Sequence, residues 1–243
     1  MVGKKIVLLN LKDSMKYPTY LMMVLLFSAL GAFMMIQQGN VFVKNEGTVF
    51  VFHYMYVAFN LSIYAMVMTV VITNLCITEK STGRLEFYLA NMVDLNTIHR
   101  SYTIVTSILS MTAVVIFNML LIAYGLISGE IGFIQRLYNI HTFLCFMTYL
   151  AFCLSISYLL NLIVLLSSKP QTVRSIIFIV SFIVLYGMLL PVQSIAKIGE
   201  LSSFGIMRIF IAAFAVFAVG VVCIAFGLKR FLSKETIILS LKQ

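Results

Sequence analysis

Six stretches of this chain contain no charged residue, and each is long enough to cross a lipid bilayer. They run Tyr17–Val43, Gly47–Thr78, Ser101–Gly129, Leu137–Ser168, Ser175–Ala196 and Ile209–Leu228. An α-helix rises about 1.5 Å per residue, so roughly 20 apolar residues span a hydrocarbon core of about 30 Å. The expected fold is therefore all-α: a polytopic membrane protein with six transmembrane helices, at about 18–37, 52–78, 101–128, 137–167, 174–190 and 209–228. The six stretches occupy two-thirds of the 243 residues, so 1–243 reads as a single transmembrane domain with almost nothing left for a soluble one.

The few charges set the orientation. The N-terminal segment carries Lys4, Lys5, Lys12 and Lys16, and the loop between spans two and three carries Lys80, Arg84 and Arg100. The fourth loop adds Lys169 and Arg174, and the tail adds Lys229, Arg230, Lys234 and Lys242. These thirteen basic residues share one side; only Lys44, Arg136, Lys197 and Arg208 fall on the other. Excess Lys and Arg in short loops marks the cytoplasmic face, so both termini are expected there. The net charge of +9 then follows from this bias and from anionic lipid, and calls for no nucleic-acid partner.

Segment 1–16 mixes lysines with Ile6, Val7, Leu8, Leu9 and Leu11. It reads either as an amphipathic helix lying on the inner leaflet or as a fraying extension of the first span, and not as a cleaved signal peptide. Cys76, Cys145, Cys153 and Cys223 all lie inside spans, where thiols act as small apolar groups, and no spacing suggests a metal site. No Asp, Glu, Lys or Arg falls mid-span, which argues against an ion-driven pump. The acids Asp13, Glu46, Glu79, Glu86, Asp94, Glu130, Glu200 and Glu235 are scattered, and neither a His-Glu-x-x-His motif nor a phosphate-binding Gly-Lys loop occurs. A chain of this kind catalyses nothing itself, and energy for any work has to enter from a partner.

The cytoplasmic loop 79–98 is where a partner would dock. Leu85, Leu89, Met92 and Val93 recur at i, i+4, i+7 and i+8, one face of a short helix, with Gly83 as a permissive start. Arg84, Glu86, Asn91 and Asp94 take the other faces. The run Glu79, Lys80, Ser81, Thr82, Gly83, Leu85, Glu86 and Leu89, followed by Ala90, resembles the loop between spans two and three in the type-2 permeases of ATP-binding-cassette exporters. Tyr88 stands where that pattern has a Leu, and Met92 near where it has a Pro.

The resemblance implies a coupling helix that docks into a cytoplasmic ATPase subunit. Glu79, Lys80, Gly83, Arg84, Leu85, Glu86 and Leu89 would form the docking element, with Leu85 and Leu89 as its apolar anchor. It implies two ATPase subunits, which bind the ATP and magnesium, and a second permease subunit, identical or sister. It further implies a multi-pass protein of a prokaryotic cell membrane exporting an amphipathic or apolar cargo such as a peptide, a drug-like metabolite or a lipid. The alternative is a non-transporting membrane sensor or assembly scaffold that binds a cytoplasmic protein through the same loop.

Two features bear on a path. Gly187, Pro191 and Gln193 interrupt the end of span five; 188–207 reads as a re-entrant outer segment, as the resemblance implies, or as a simple span end with an outside loop. In span two, His53, Tyr56, Asn60, Tyr64 and Asn74 project within one arc, either lining a path or hydrogen-bonding helices together. Thr103, Ser107, Ser110 and Asn118 form a similar line in span three, which suits helix contact. The charge asymmetry gives a test of topology. In a background free of native cysteines, one cysteine at Lys44 or Glu130 is expected to react with an impermeant thiol reagent on intact cells. One at Arg84 is expected to stay unlabelled, and labelling there from outside would reverse the orientation.

Overall fold

The computed structural model describes residues 2–42, 49–130, 135, 138, 140–167, 172–173, 175–179 and 203–231. Over these residues the chain is all-α, with eight helices. They are α1 (Val2–Met15), α2 (Pro18–Phe42), α3 (Val49–Ile72), α4 (Thr78–Ser81), α5 (Arg84–Ala90), α6 (Leu95–Ile127), α7 (Ile140–Leu166) and α8 (Ser203–Lys229). Five long apolar segments have the length and composition to cross a membrane: Pro18–Gln37, Met55–Lys80, Leu95–Ile127, Thr142–Leu166 and Arg208–Lys229. Of the expected fifth span only 175–179 falls among the described residues, and it is helical. Gly187, Pro191 and Gln193 lie outside them.

The helices outrun the charge-free stretches. Helix α6 starts at Leu95 after an extended Asp94 (ψ 135°), and α8 starts at Ser203. Charged residues bound the hydrocarbon, but they do not stop a helix when, like Arg100 and Arg208, they project from its exposed side. Loop 79–98 is correspondingly shorter than expected: α4 continues α3 at one end and α6 begins four residues early at the other. Between α3 and α4 lies a π-helical turn, Thr73–Ile77. A π turn holds more residues than an α turn, so faces downstream fall out of register with those upstream.

Helix α3 is the axis of the bundle. Its span is 89% buried within the protein, whereas that of α8 is only 17% buried. A helix apolar all round has to be enclosed, and α3 contacts α2, α6, α7 and α8. Phe52, Phe59, Ile63, Val67 and Val71 are all buried along it. Helices α7 and α8 pair along their length, and Val216, Phe217, Val219 and Phe226 of α8 project outward where lipid chains would lie.

Polar contacts lock α2 onto α6: the Ser28 hydroxyl donates to the Ala113 carbonyl at 2.8 Å, and Tyr20 donates to the Leu109 carbonyl at 3.1 Å. Gly31 lets these helices approach α3 closely, because a Cβ there would lie 2.9 Å from Ile63 Cδ1 and 3.4 Å from the Phe117 ring. The Ile63 terminus is the flexible end of a side chain, and the ring is not. Gly31→Ala is therefore expected to cost little. Gly31→Leu overpacks the junction and is expected to lose about 2 kcal/mol, read as a lowered melting temperature in detergent. Equal melting of the two variants would show that the helices do not meet at Gly31.

Candidate functional site

The short helix α5 is built by two left-handed residues. The α4 helix ends as Thr82 N–H donates to the Thr78 carbonyl at 2.9 Å, and Gly83 then turns the chain at φ 74°. A side chain at that φ costs roughly 1–2 kcal/mol even where space is open, which explains a glycine here. The far end closes with Met92 at φ 56°. Met92 N–H donates to the Leu89 carbonyl at 3.2 Å, and Val93 N–H to the Tyr88 carbonyl at 3.1 Å, the bond pattern of a Schellman cap. Met92 thus lies outside the helix and is 87% exposed, which corrects its expected place on the apolar face.

The buried face of α5 is Leu85, Tyr88 and Leu89. Leu85 is only 1% exposed, and both leucines pack into the chain's own core. Both therefore face the bundle and hold α5 onto it, and neither points outward. The outward apolar group within α5 itself is Phe87, 64% exposed, flanked by Glu86, Ala90 and Asn91, with the exposed Met92 just past the cap.

Glu79, expected to meet a partner, is buried. Its carboxylate accepts a hydrogen bond from the Tyr102 hydroxyl of α6, and its other oxygen lies 3.5 Å from Arg84 Nη1. The same guanidinium nitrogen donates to Asp13 Oδ2 of α1 at 3.0 Å. That bond is the main cause holding the Arg84 pKa above its ordinary value, while burial raises that of Tyr88. One arginine therefore ties α1 and α5 to the end of the α3–α4 helix. Beside Glu79, the Lys80 ammonium donates to the carbonyls of Leu165 at 3.1 Å and Ser167 at 2.5 Å, capping the C-terminus of α7. His99 Nε2 lies 2.9 Å from the Tyr158 carbonyl and joins α6 to α7 at the same end. A largely polar-lined cavity of about 420 Å³ between α1 and the end of the α3–α4 helix is lined by Asn10, Asp13, Asn74, Glu79, Thr82 and, from α5, Arg84.

The expected span-two stripe divides into four, three parts on α3 and one beyond it. Tyr56 donates to Asn118 Oδ1 at 2.6 Å, Asn118 Nδ2 donates to Asn60 Oδ1 at 2.9 Å, and Asn60 Nδ2 returns to the Tyr56 carbonyl at 2.7 Å. The Tyr149 hydroxyl donates to the Asn60 carbonyl at 2.8 Å. Tyr64 forms a second node, 2.5 Å from Ser157 Oγ and donating to the Cys153 carbonyl at 3.1 Å. His53 is buried beside Phe52, its ring edge-on at 6.2 Å. Asn74 sits in the π turn and reaches Thr19 of α2 at 3.5 Å, which separates it from the rest of the arc. In α6, Thr103 bonds its own helix through the His99 carbonyl, and Ser107 and Ser110 are buried.

Next to the first node lies a cavity of about 360 Å³ lined by Tyr56, Asn118, Tyr138, Phe143 and Phe146, with Ile122 behind them. Phe143 and Met119 at its rim are exposed on the bundle's outer face, so it opens sideways. Its wall is mainly apolar, with one polar corner where Tyr56 and Tyr138 both donate to Asn118 Oδ1 and Thr142 lies alongside.

Several of these residues were not singled out from sequence. Asp13 had a signal, being the one acid in a lysine-rich segment; Lys80 stood in the expected docking element, but its bonds to the end of α7 were not expected. Tyr102, Tyr138 and Tyr149 had none, since a tyrosine in an apolar helix reads as core. Comparison with known protein families, curated proteins and solved structures finds no match.

The nodes generate a test of the stripe. Tyr64 is fully enclosed, packing edge-on against Tyr149 at 6.4 Å. Tyr64→Ala is expected to cost about 3 kcal/mol by opening a cavity, whereas Tyr64→Phe should cost about 1 kcal/mol for the lost hydroxyl bonds. Thermal unfolding in detergent measures both, and an unchanged midpoint for Tyr64→Ala would remove Tyr64 from the packing seam.

Proposed function

We propose that this chain is the transmembrane permease subunit of an ATP-binding-cassette exporter, working in the cell membrane with a second permease subunit and two cytoplasmic ATPase subunits. The observation that carries the reading is α5: a two-turn helix between two candidate spans, fixed inward by Leu85, Tyr88 and Leu89, with Phe87 turned outward. An exposed phenylalanine flanked by Glu86 and Asn91, with the exposed Met92 nearby, suits a small groove on a soluble partner.

On this reading ATP and its magnesium sit in the partner, and this chain transmits. A push on Phe87 moves α5 as a unit with its buried face. Arg84 carries the motion to Asp13 of α1 and to Glu79. Glu79 belongs to the helix that continues α3 and is bonded to Tyr102, so the displacement reaches the bundle axis and α6 together. The sideways cavity beside Tyr56 and Asn118, apolar with one polar corner, supports a cargo that is amphipathic or apolar.

The test is purification of the tagged chain from its own cells, followed by assay of Mg-ATP hydrolysis. The parent is expected to bring down an ATPase. Phe87→Asp places an unpaired charge in an apolar contact and is expected to weaken that association by about 2 kcal/mol, roughly thirtyfold. Phe87→Leu should retain it. Copurification of the ATPase at parental levels with Phe87→Asp would refute docking through α5. A soluble partner without ATPase activity would favour the sensor or scaffold reading.

A further inference from the structure

We infer that Lys4 and Arg100 form a binding site for the phosphate of an anionic phospholipid, in the notch where α1 crosses the start of α6. The inference is independent of the transport reading. The notch is an open cavity of about 500 Å³ lined by Gly3, Lys4, Val7, Thr97, Arg100 and Ser101, with Ile104 at its lower edge. The helices nearly touch at its floor, where a Cβ on Gly3 would stand 3.1 Å from Thr97 Cγ2. That close approach brings a lysine of α1 beside an arginine of α6.

Charge and polarity point to the ligand. Asp13 and Glu79 make the salt bridges found among the described residues, and neither Lys4 nor Arg100 takes part in one. Both basic side chains are exposed. Two cations at one cavity, with no acid pairing them among the described residues, attract an anion, and a guanidinium matches phosphate oxygens in a bidentate fork. The hydroxyl of Thr97 completes the polar wall; that of Ser101 is already donated to the Thr97 carbonyl at 2.7 Å.

The other wall is apolar. Val7 is half-buried, and Ile104, one turn beyond Arg100, is 46% exposed. Ile104 lies in the charge-free run that begins at Ser101, so the cavity straddles the boundary between headgroups and acyl chains. Free phosphate would use the cations and gain nothing from Val7 and Ile104. A phospholipid uses both, with its phosphate on Lys4 and Arg100 and its first methylenes against Ile104.

The chain contains no tryptophan, so Ile104→Trp gives a single reporter on the apolar wall. The full chain carrying it is reconstituted into phosphatidylcholine vesicles. These contain equal mole fractions of either phosphatidylglycerol or phosphatidylcholine brominated near the glycerol end of the chain. Brominated phosphatidylglycerol is expected to quench more strongly, with a relative association of about twenty-five-fold, since each of the two basic residues near an anionic surface contributes about fivefold. Lys4→Ala with Arg100→Ala should bring the ratio close to one, and Lys4→Arg with Arg100→Lys should keep it high. The single variant Arg100→Gln should fall between, and it serves if the double alanine variant does not reconstitute. Diffuse attraction from a net charge of +9 would survive the loss of two charges. Equal quenching by the two lipids in the parent, or a preference unchanged in the alanine variant, would overturn the site. So would its abolition by millimolar inorganic phosphate, which would assign the cations to free phosphate.

Discussion

The structure depends on a helix that has no lipid-facing side. Because α3 is enclosed by α2, α6, α7 and α8, every polar group on it has to find its partner within the protein. Asn60 shows how this is met: its amide is shared between Asn118 and the Tyr56 carbonyl, and its own carbonyl receives Tyr149. Such bonds contribute only about 0.6 kcal/mol each in membranes, so they do not assemble the bundle. They fix which face of α6 and α7 meets α3. The association itself comes from close packing, as at Gly31, where α2, α3 and α6 converge.

Length and charge made five long apolar helices legible, because both follow from the demands of a bilayer and not from any particular neighbour. The start of α5 was legible for a similar reason: Gly83 is demanded by its own backbone, and a left-handed turn leaves a glycine in the sequence. The end of α5 was not, since a methionine at φ 56° violates the rule that makes such positions readable. Periodicity alone extended the apolar face to Met92, and the Schellman cap at Tyr88–Val93 ended it one turn early.

The candidate site was legible in its residues and not in its partners. Glu79 and Leu85 stood out as an acid and an apolar position in a short polar loop, but a pattern does not state which way a face points. Leu85 turned inward because a seven-residue helix is too short to be stable alone and has to bury its apolar side on its own chain. Asn74 fell out of the span-two arc because the π turn is invisible to a fixed angle per residue. The tyrosines that complete the polar nodes were indistinguishable from core until their hydroxyls were placed.

The burial of Glu79 bears on how α5 can act. A carboxylate in a low-dielectric site costs several kcal/mol unless it is paired and hydrogen-bonded. Tyr102 and Arg84 supply both, one from α6 and one from the first residue of α5. Removing α5 from its seat would therefore strip Glu79 of its counter-ion as well as expose Leu85 and Leu89. The helix is coupled to the bundle twice, by apolar contact and by charge, and the two act in different directions. The leucines resist separation from the bundle. Arg84, stretched between Asp13 and Glu79, resists sliding across it. Arg84 is itself partly exposed, so its own ion pairs are weak by solvent screening. Its leverage lies in the buried carboxylate that would be left alone without it. A short helix held in both directions would pass a displacement on to α3 instead of absorbing it, which is what the proposed partner on Phe87 would rely on.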